Sequence, residues 1–269
     1  MLLAVGLNIV TGVIKIINFA HGDLIMIGMY ITFWLSVILG LNPLTVIPGA
    51  IVLLAFIGAL TYLGIFSLVL RSGPLEQLLV TVGLGLFLQG LAQVLWKSDY
   101  RLLRFELPPI VIGELYISPI MLIIFTISLL ASVTLYSFLL KTQTGVRIRA
   151  VAQDPEMASL MGVDRRKIYL ITCMIGFGLA GLAGGLLMLM FPTYPSAGLT
   201  YGLMAWLIMV IGGLGSIEGA FVGGMIIGII EVLISTYWNP ELARALVFLL
   251  FIAVIALKPE GLMGARARV

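Results

Sequence analysis

The chain has 269 residues, of which 61% are hydrophobic and only 10% charged, against roughly 25% charged in a soluble domain, and its mean hydropathy is +1.20. Such a chain cannot cover itself in water, and its long, non-alternating apolar runs exclude a β-barrel and leave helices as the spanning elements. The net charge of +3 rests on 15 Lys and Arg spread thinly between apolar runs, which makes no basic face and excludes nucleic acid as a partner.

Nine apolar stretches follow in chain order: Met1 to Ile17, Leu24 to Leu39, Leu44 to Leu70, Leu75 to Trp96, Ile117 to Leu140, Ile168 to Phe191, Gly202 to Leu214, Ala220 to Ile234 and Leu242 to Leu257. The first, seventh and eighth fall near or below the roughly 20 residues a crossing needs, so broken, tilted or re-entrant segments and eight crossings, give or take one, are expected. The fold class is all-α: a polytopic transmembrane helical bundle forming one domain over 1–269. Met1-Leu2-Leu3-Ala4 offers no basic n-region and no small-residue cleavage site, so a cleavable signal is not expected, whereas an opening stretch without a flanking anchor suggests a missing upstream piece.

Loop charge sets the orientation. Lys141, Arg147, Arg149, Arg165, Arg166 and Lys167 crowd the connection at 141–167, and Lys258, Arg266 and Arg268 mark the tail. The positive-inside rule puts both in the cytoplasm, C-terminus included. Arg71 then falls inside, while the loops Lys97 to Tyr116 and Pro192 to Tyr201 fall outside. The first of these mixes Lys97, Arg101 and Arg104 with Asp99, Glu106 and Glu114, and its Pro108-Pro109 suits an ordered surface.

Glycine is abundant, at 31 residues, and clusters at Gly176 to Gly185, Gly212 to Gly219 and Gly223 to Gly228. Close helix contact through small residues explains most of these. Around Gly213, Gly215, Ser216 and Glu218 the cluster reads instead as an unwound or tightly turned segment lining a cavity. Val82-Gly83-Leu84-Gly85 with Gln89-Gly90 is a faint echo of it, a possible internal repeat.

Two segments concentrate the remaining polarity. Asn18-Phe19-Ala20-His21-Gly22-Asp23 either caps a turn between two helices through Asn18, His21 and Asp23 or contacts a solute. His21 is the only histidine, so neither a metal site nor a histidine-led triad has its other members. Asn8, Thr11, Gln89, Gln93, Glu218 and Glu231 are further buried polar candidates, Glu218 among glycines and Glu231 as a snorkelling carboxylate. Asn18, His21, Asp23, Gln89, Gln93, Gly213, Gly215, Ser216 and Glu218 make up the candidate pathway set. Cys173 lies inside an apolar run without an intrachain partner and reads as structural.

Within 141–167, Asp154 caps a short helix whose first turn holds Pro155 and Glu156; Ala158, Leu160 and Met161 form its apolar side, and Gly162 ends it. A short amphipathic helix of this kind lies on lipid or docks into a protein groove, and the absence of Lys or Arg from Asp154 to Gly162 favours the protein.

That segment resembles the coupling loop of bacterial importers of the ATP-binding cassette class, with Ala158 and Gly162 in its Ala-x-x-x-Gly core. Taken with Ile17 to Asp23, Gly145-Val146-Arg147-x-Arg149-Ala150, Gly212-Gly213-x-Gly215-Ser216-x-x-Gly219 and Lys258-Pro259-x-Gly261-Leu262, the chain is similar to the branched-chain amino acid permease family over nearly its whole length. The resemblance implies a non-catalytic subunit in a bacterial-type cytoplasmic membrane. Its implied partners are a homologous second permease, two cytoplasmic ATPase subunits and an external solute-binding protein. Arg147, Arg149, Asp154, Pro155, Glu156, Ala158, Met161 and Gly162 are the implied ATPase-coupling residues. ATP and magnesium belong to the partner ATPases, with no cofactor on this chain, which carries no G-x-x-x-x-G-K-[S/T] sequence. Urea permeases are close to this family, so urea and short amides are the alternative cargo. A stand-alone secondary carrier would instead use buried acidic residues as coupling sites, and an intramembrane enzyme lacks a catalytic set in the spans.

Overall fold

The computed structural model describes residues 1–103, 105, 107–113 and 115–264. Arg104, Glu106 and Glu114 of the charged loop and Arg266 and Arg268 of the tail lie outside the described residues. The order is α1 (Leu2–Ile14), α2 (His21–Leu39), α3 (Pro43–Thr61), a π-turn (Tyr62–Phe66) leading into α4 (Ser67–Val69), α5 (Pro74–Trp96), β1 (Ile110–Ile112), β2 (Leu115–Ile117), α6 (Pro119–Lys141), α7 (Gln143–Gln153), α8 (Pro155–Leu160), α9 (Arg165–Leu187), α10 (Ala197–Gly212), α11 (Ile217–Tyr237) and α12 (Pro240–Leu257).

Every expected apolar stretch contains a helix, although the first, sixth and seventh run on past its end and the fifth begins in a strand at Ile117. Among the described residues seven helices are long and apolar enough to cross a membrane, α3 and α4 counting as one, while α1 and α10 are apolar but shorter. The eighth stretch, Ala220 to Ile234, is expected to be short, but α11 has 21 residues, because the helix starts at Ile217 and continues past Ile234 to Tyr237. The chain is a multi-pass membrane protein.

Local chemistry sets the helix starts. Pro43, Pro74, Pro119, Pro155 and Pro240 each occupy the first turn of a helix, where a missing N–H costs nothing and φ is already helical. Asn42, Asp154, Asp164, Ser216 and Asn239 accept first-turn N–H groups through their side chains, satisfying donors that lipid could not.

At the centre runs α9, packed on α1, α2 and α3. Its glycines allow this: a side chain at Gly181 would strike the backbone of Ala50 on α3, and one at Gly184 would strike α2. Helices approach closely along such small-residue faces, which drives packing where apolar burial gains little. Cys173 is fully buried in this core. At one end of the bundle, Arg101 and Thr193 exchange two backbone hydrogen bonds of 2.9 and 2.8 Å, joining the loops that follow α5 and α9. Their shared side agrees with the loop-charge reading. β1 and β2 form an antiparallel hairpin in the first loop, pairing Ile110 with Ile117, which the apolar-stretch reading does not foresee.

Candidate functional site

Three features carry the polar chemistry of the bundle, and the first is the connection from α6 to α9. Where a loop was expected from Gly145 to Ala150, the chain forms α7, because Thr142 accepts the N–H of Gly145 and caps it. Arg147 is exposed, while the Arg149 Nε donates to Leu139 O at 3.1 Å and ties α7 to the end of α6. As expected, Asp154 Oδ1 accepts the N–H groups of Glu156 and Met157, both at 2.9 Å. Gly162, at φ +83°, ends the helix in the left-handed region that glycine takes without strain. Ala158 is turned into the chain at 6% exposure, whereas Leu160 and Met161 are each 80% exposed. The apolar side of α8 is thus divided: Ala158 seats the helix, and Leu160 with Met161 present a free apolar tip.

The second feature is a break inside the bundle. α1 ends at Ile14, Lys15 reverses the chain at φ +62°, and α2 starts at His21, whose Nε2–H donates to Leu3 O at 3.1 Å. Eleven residues of α1, about 16 Å of helix, separate the level of Leu3 from that of Ile14. Residues 15–20 therefore run back along α1 as a stretched, non-helical segment that ends in a turn at Phe19 and Ala20. Thr81 Oγ1 on α5 donates to Ile17 O at 3.0 Å, and Asn18 Oδ1 accepts the N–H of Ala20 at 3.1 Å. Asp23 follows, its Oδ1 accepting from Gln89 Nε2 at 2.9 Å, wedged where a side chain on Gly85 or Gly198 would collide with it. Asn18 and His21 are fully buried and Asp23 is 4% exposed. The capping explanation is right for Asn18 alone; His21 ties α2 to α1, and Asp23 ties α2 to α5.

The third feature is the glycine turn between α10 and α11, with Gly213 at φ +113° and Gly215 at +78°. Asn8 of α1, fully buried, clasps it. Its Nδ2 donates to Gly213 O at 3.3 Å and to Ser216 O at 2.6 Å, and its Oδ1 accepts the N–H of Gly215 at 2.5 Å. Ser216 Oγ accepts the N–H of Gly219 at 2.9 Å and starts α11. From the other side, the N–H groups of Leu262 and Met263 donate to Ile211 O and Gly212 O at 2.8 and 2.9 Å. The terminal Lys258-Pro259-x-Gly261-Leu262 motif and the glycine turn are thus parts of one joint.

This geometry redistributes the candidate pathway residues. Gln93 and Glu218 are exposed, not buried, and Glu231 and Thr11 are half-buried. Glu218 occupies the first turn of α11, where a carboxylate complements the helix dipole. The Gly83 to Gly90 echo does not break its helix: α5 is continuous, and side chains at Gly83 and Gly90 would meet open space. Asn18, His21, Asp23 and Gln89 come together around the start of α2, whereas Gly213, Gly215, Ser216 and Glu218 belong to the separate glycine joint. Among the described residues no group of three His, Cys, Asp or Glu side chains could hold a metal ion. Thr81 and Trp206, which meet the extended segment, carry no signal in the sequence, because their partners are more than sixty residues away.

The family of branched-chain amino acid transport system permease components matches residues 1–255. The high-affinity branched-chain amino acid transport system permease protein LivH of Escherichia coli K12 is 32% identical over 98% of this chain and 90% of its own length. The corresponding BraD protein of Pseudomonas aeruginosa is 31% identical over 98% of this chain and 91% of its own. A probable branched-chain amino acid transport permease protein of Methanocaldococcus jannaschii is 30% identical over 98% and 88%. No solved structure matches the chain.

Proposed function

The chain belongs to the family of branched-chain amino acid transport permease components, and from that premise we propose that it is the membrane-spanning subunit of an ATP-binding cassette importer moving branched-chain or other apolar amino acids. The observation that carries the reading is α8. It is a capped, six-residue helix in the connection between the long apolar helices α6 and α9, with its own core contact at Ala158 and an exposed apolar tip at Leu160 and Met161. A tip of that kind fits a groove on a water-soluble partner better than it fits water.

In this reading two ATPase subunits bind nucleotide and grip α8, a homologous permease completes the passage, and an external binding protein delivers the solute. The connection 141–167 and the C-terminus face the cytoplasm. Hydrolysis is work for the partners, since the chain has no phosphate-binding glycine loop. The chain contributes helices and a passage, with no catalytic or cofactor role.

The test is uptake into proteoliposomes holding this chain, its second permease and the ATPase pair, supplied with each candidate binding protein. Leucine uptake that requires ATP supports the proposal. ATP-dependent urea uptake without leucine uptake overturns the cargo, and flux by this chain without any ATPase overturns the class in favour of a carrier.

A further inference from the structure

Burial along the non-helical segment 15–20 alternates strictly. Ile16, Asn18 and Ala20 are fully buried, while Lys15, Ile17 and Phe19 are exposed, Ile17 at 39% and Phe19 at 43%. In the motif that drew attention for its polar residues, those polar residues point into the protein, and the apolar ones between them point out.

The outward face lies between α5 and α10. Thr81 of α5 holds Ile17 O, and the Phe19 ring stacks on Trp206 of α10, centroids 4.7 Å apart and planes 20° from parallel. Thr81 is the eighth residue of the 23-residue α5, so this face sits within the span and not at its end. None of the hydrogen bonds within the described chain uses the N–H of Ile16, Ile17, Asn18 or Phe19. Unpaired amides on irregular backbone are not tolerated against lipid; such backbone is found buried in protein or lining a water-filled cavity. Ile16 and Asn18 are fully buried within this chain, whereas Ile17 and Phe19 are exposed and so face such a cavity.

We infer that Ile17 and Phe19, backed by Trp206, form the apolar wall of the solute passage and contact the side chain of the transported amino acid. This rests on the importer reading and deepens it. An aliphatic cargo side chain needs an apolar surface, and the unpaired amides of Ile17 and Phe19 beside that surface keep the passage wet and offer donors to the cargo carboxylate. Asn18, His21 and Asp23 are the scaffold that holds the wall in place.

The experiment is single-cysteine replacement at positions 16 to 20 in the fully assembled transporter in proteoliposomes, using a membrane-impermeant methanethiosulfonate. Native Cys173 is fully buried and stays silent. Ile17→Cys and Phe19→Cys are expected to react at least tenfold faster than Ile16→Cys, Asn18→Cys and Ala20→Cys. Modification of the Phe19→Cys variant lowers leucine uptake at least tenfold relative to the same variant before modification, while ATPase binding is unchanged. Equal reactivity along the segment overturns the inference. So does failure of the aqueous reagent to reach positions 17 and 19, which would mean cover by lipid or by the second permease, and so does full uptake after modification at 19. These outcomes are read only where the unmodified transporter takes up leucine. An unmodified transporter that fails to do so overturns the cargo reading, and alternating reactivity in that same preparation still marks Ile17 and Phe19 as the water-lined face.

Discussion

Replacing Leu160 and Met161 together by serine tests the role of α8 without disturbing the chain that carries it. Both side chains are 80% exposed, so the free permease loses little by the change. Full burial of such a side chain contributes about 1.5–3 kcal/mol, and docking covers only part of what is exposed. A loss of about 2–4 kcal/mol for the pair follows, which is roughly 30- to 1,000-fold in affinity for the ATPase subunits. The assay is titration of purified ATPase subunits onto the permease pair in lipid nanodiscs, alongside uptake. Ala158 is a poor site for the same purpose, because at 6% exposure a bulky charge there disrupts the seat of α8 before it meets any partner. An affinity within twofold of the unaltered protein for the double serine variant would refute the docking argument, whatever the uptake assay showed.

Asn8→Ala removes three hydrogen bonds to the α10–α11 turn and strands the N–H of Gly215. At about 0.5–1.5 kcal/mol per bond, moderated by the modest values found in membrane proteins, a loss of about 2–4 kcal/mol is expected in detergent unfolding. Gly22→Val drives a side chain into the backbone of Gly198 and Gly202 on α10; overpacking of this kind costs about 1–3 kcal/mol or more, whereas Gly90→Ala, in open space, is neutral or slightly stabilising in the same assay. Asp154→Ala deprives two first-turn N–H groups of their acceptor; a cost of about 1 kcal/mol is expected to appear as faster proteolysis at α8 and weaker ATPase binding, with the helical content of the bundle unchanged by circular dichroism.

Sequence makes local decisions visible. Asp154 followed by Pro155, and Gly162 seven residues further, announce where α8 begins and ends because a cap and a left-handed glycine act over a single turn. The paired glycines at Gly212 and Gly213 announce a break for the same reason. What sequence hides is any decision taken across the bundle. Asn8 looks like a solute ligand until its partners, some two hundred residues away, are known. The polar letters of Asn18, His21 and Asp23 suggest the passage, yet in lipid a buried polar group must find protein partners, so they turn inward. The periodicity was present in the residues, but its phase was not. Whether the even or the odd positions face outward depends on where α1, α5 and α10 stand.

The arrangement also dictates how a push on α8 would travel. α8 leads through Val163 and Asp164 directly into α9, whose first turn is capped by Asp164. α9 is a helix of 23 residues whose glycines bring it so close to α1, α2 and α3 that an added side chain would strike their backbone. Interfaces so tightly interlocked move as units, so a displacement at α8 carries α1 and the start of α2 with it. Between those two elements lies the segment holding Ile17 and Phe19, which bonds to α5 through Thr81 and stacks on α10 through Trp206. Together with the Asp23–Gln89 bond to α5 and the Asn8 clasp on the α10–α11 turn, those two contacts join the moving unit to its surroundings, and in the proposed importer they are where a push on α8 would change the width of the passage.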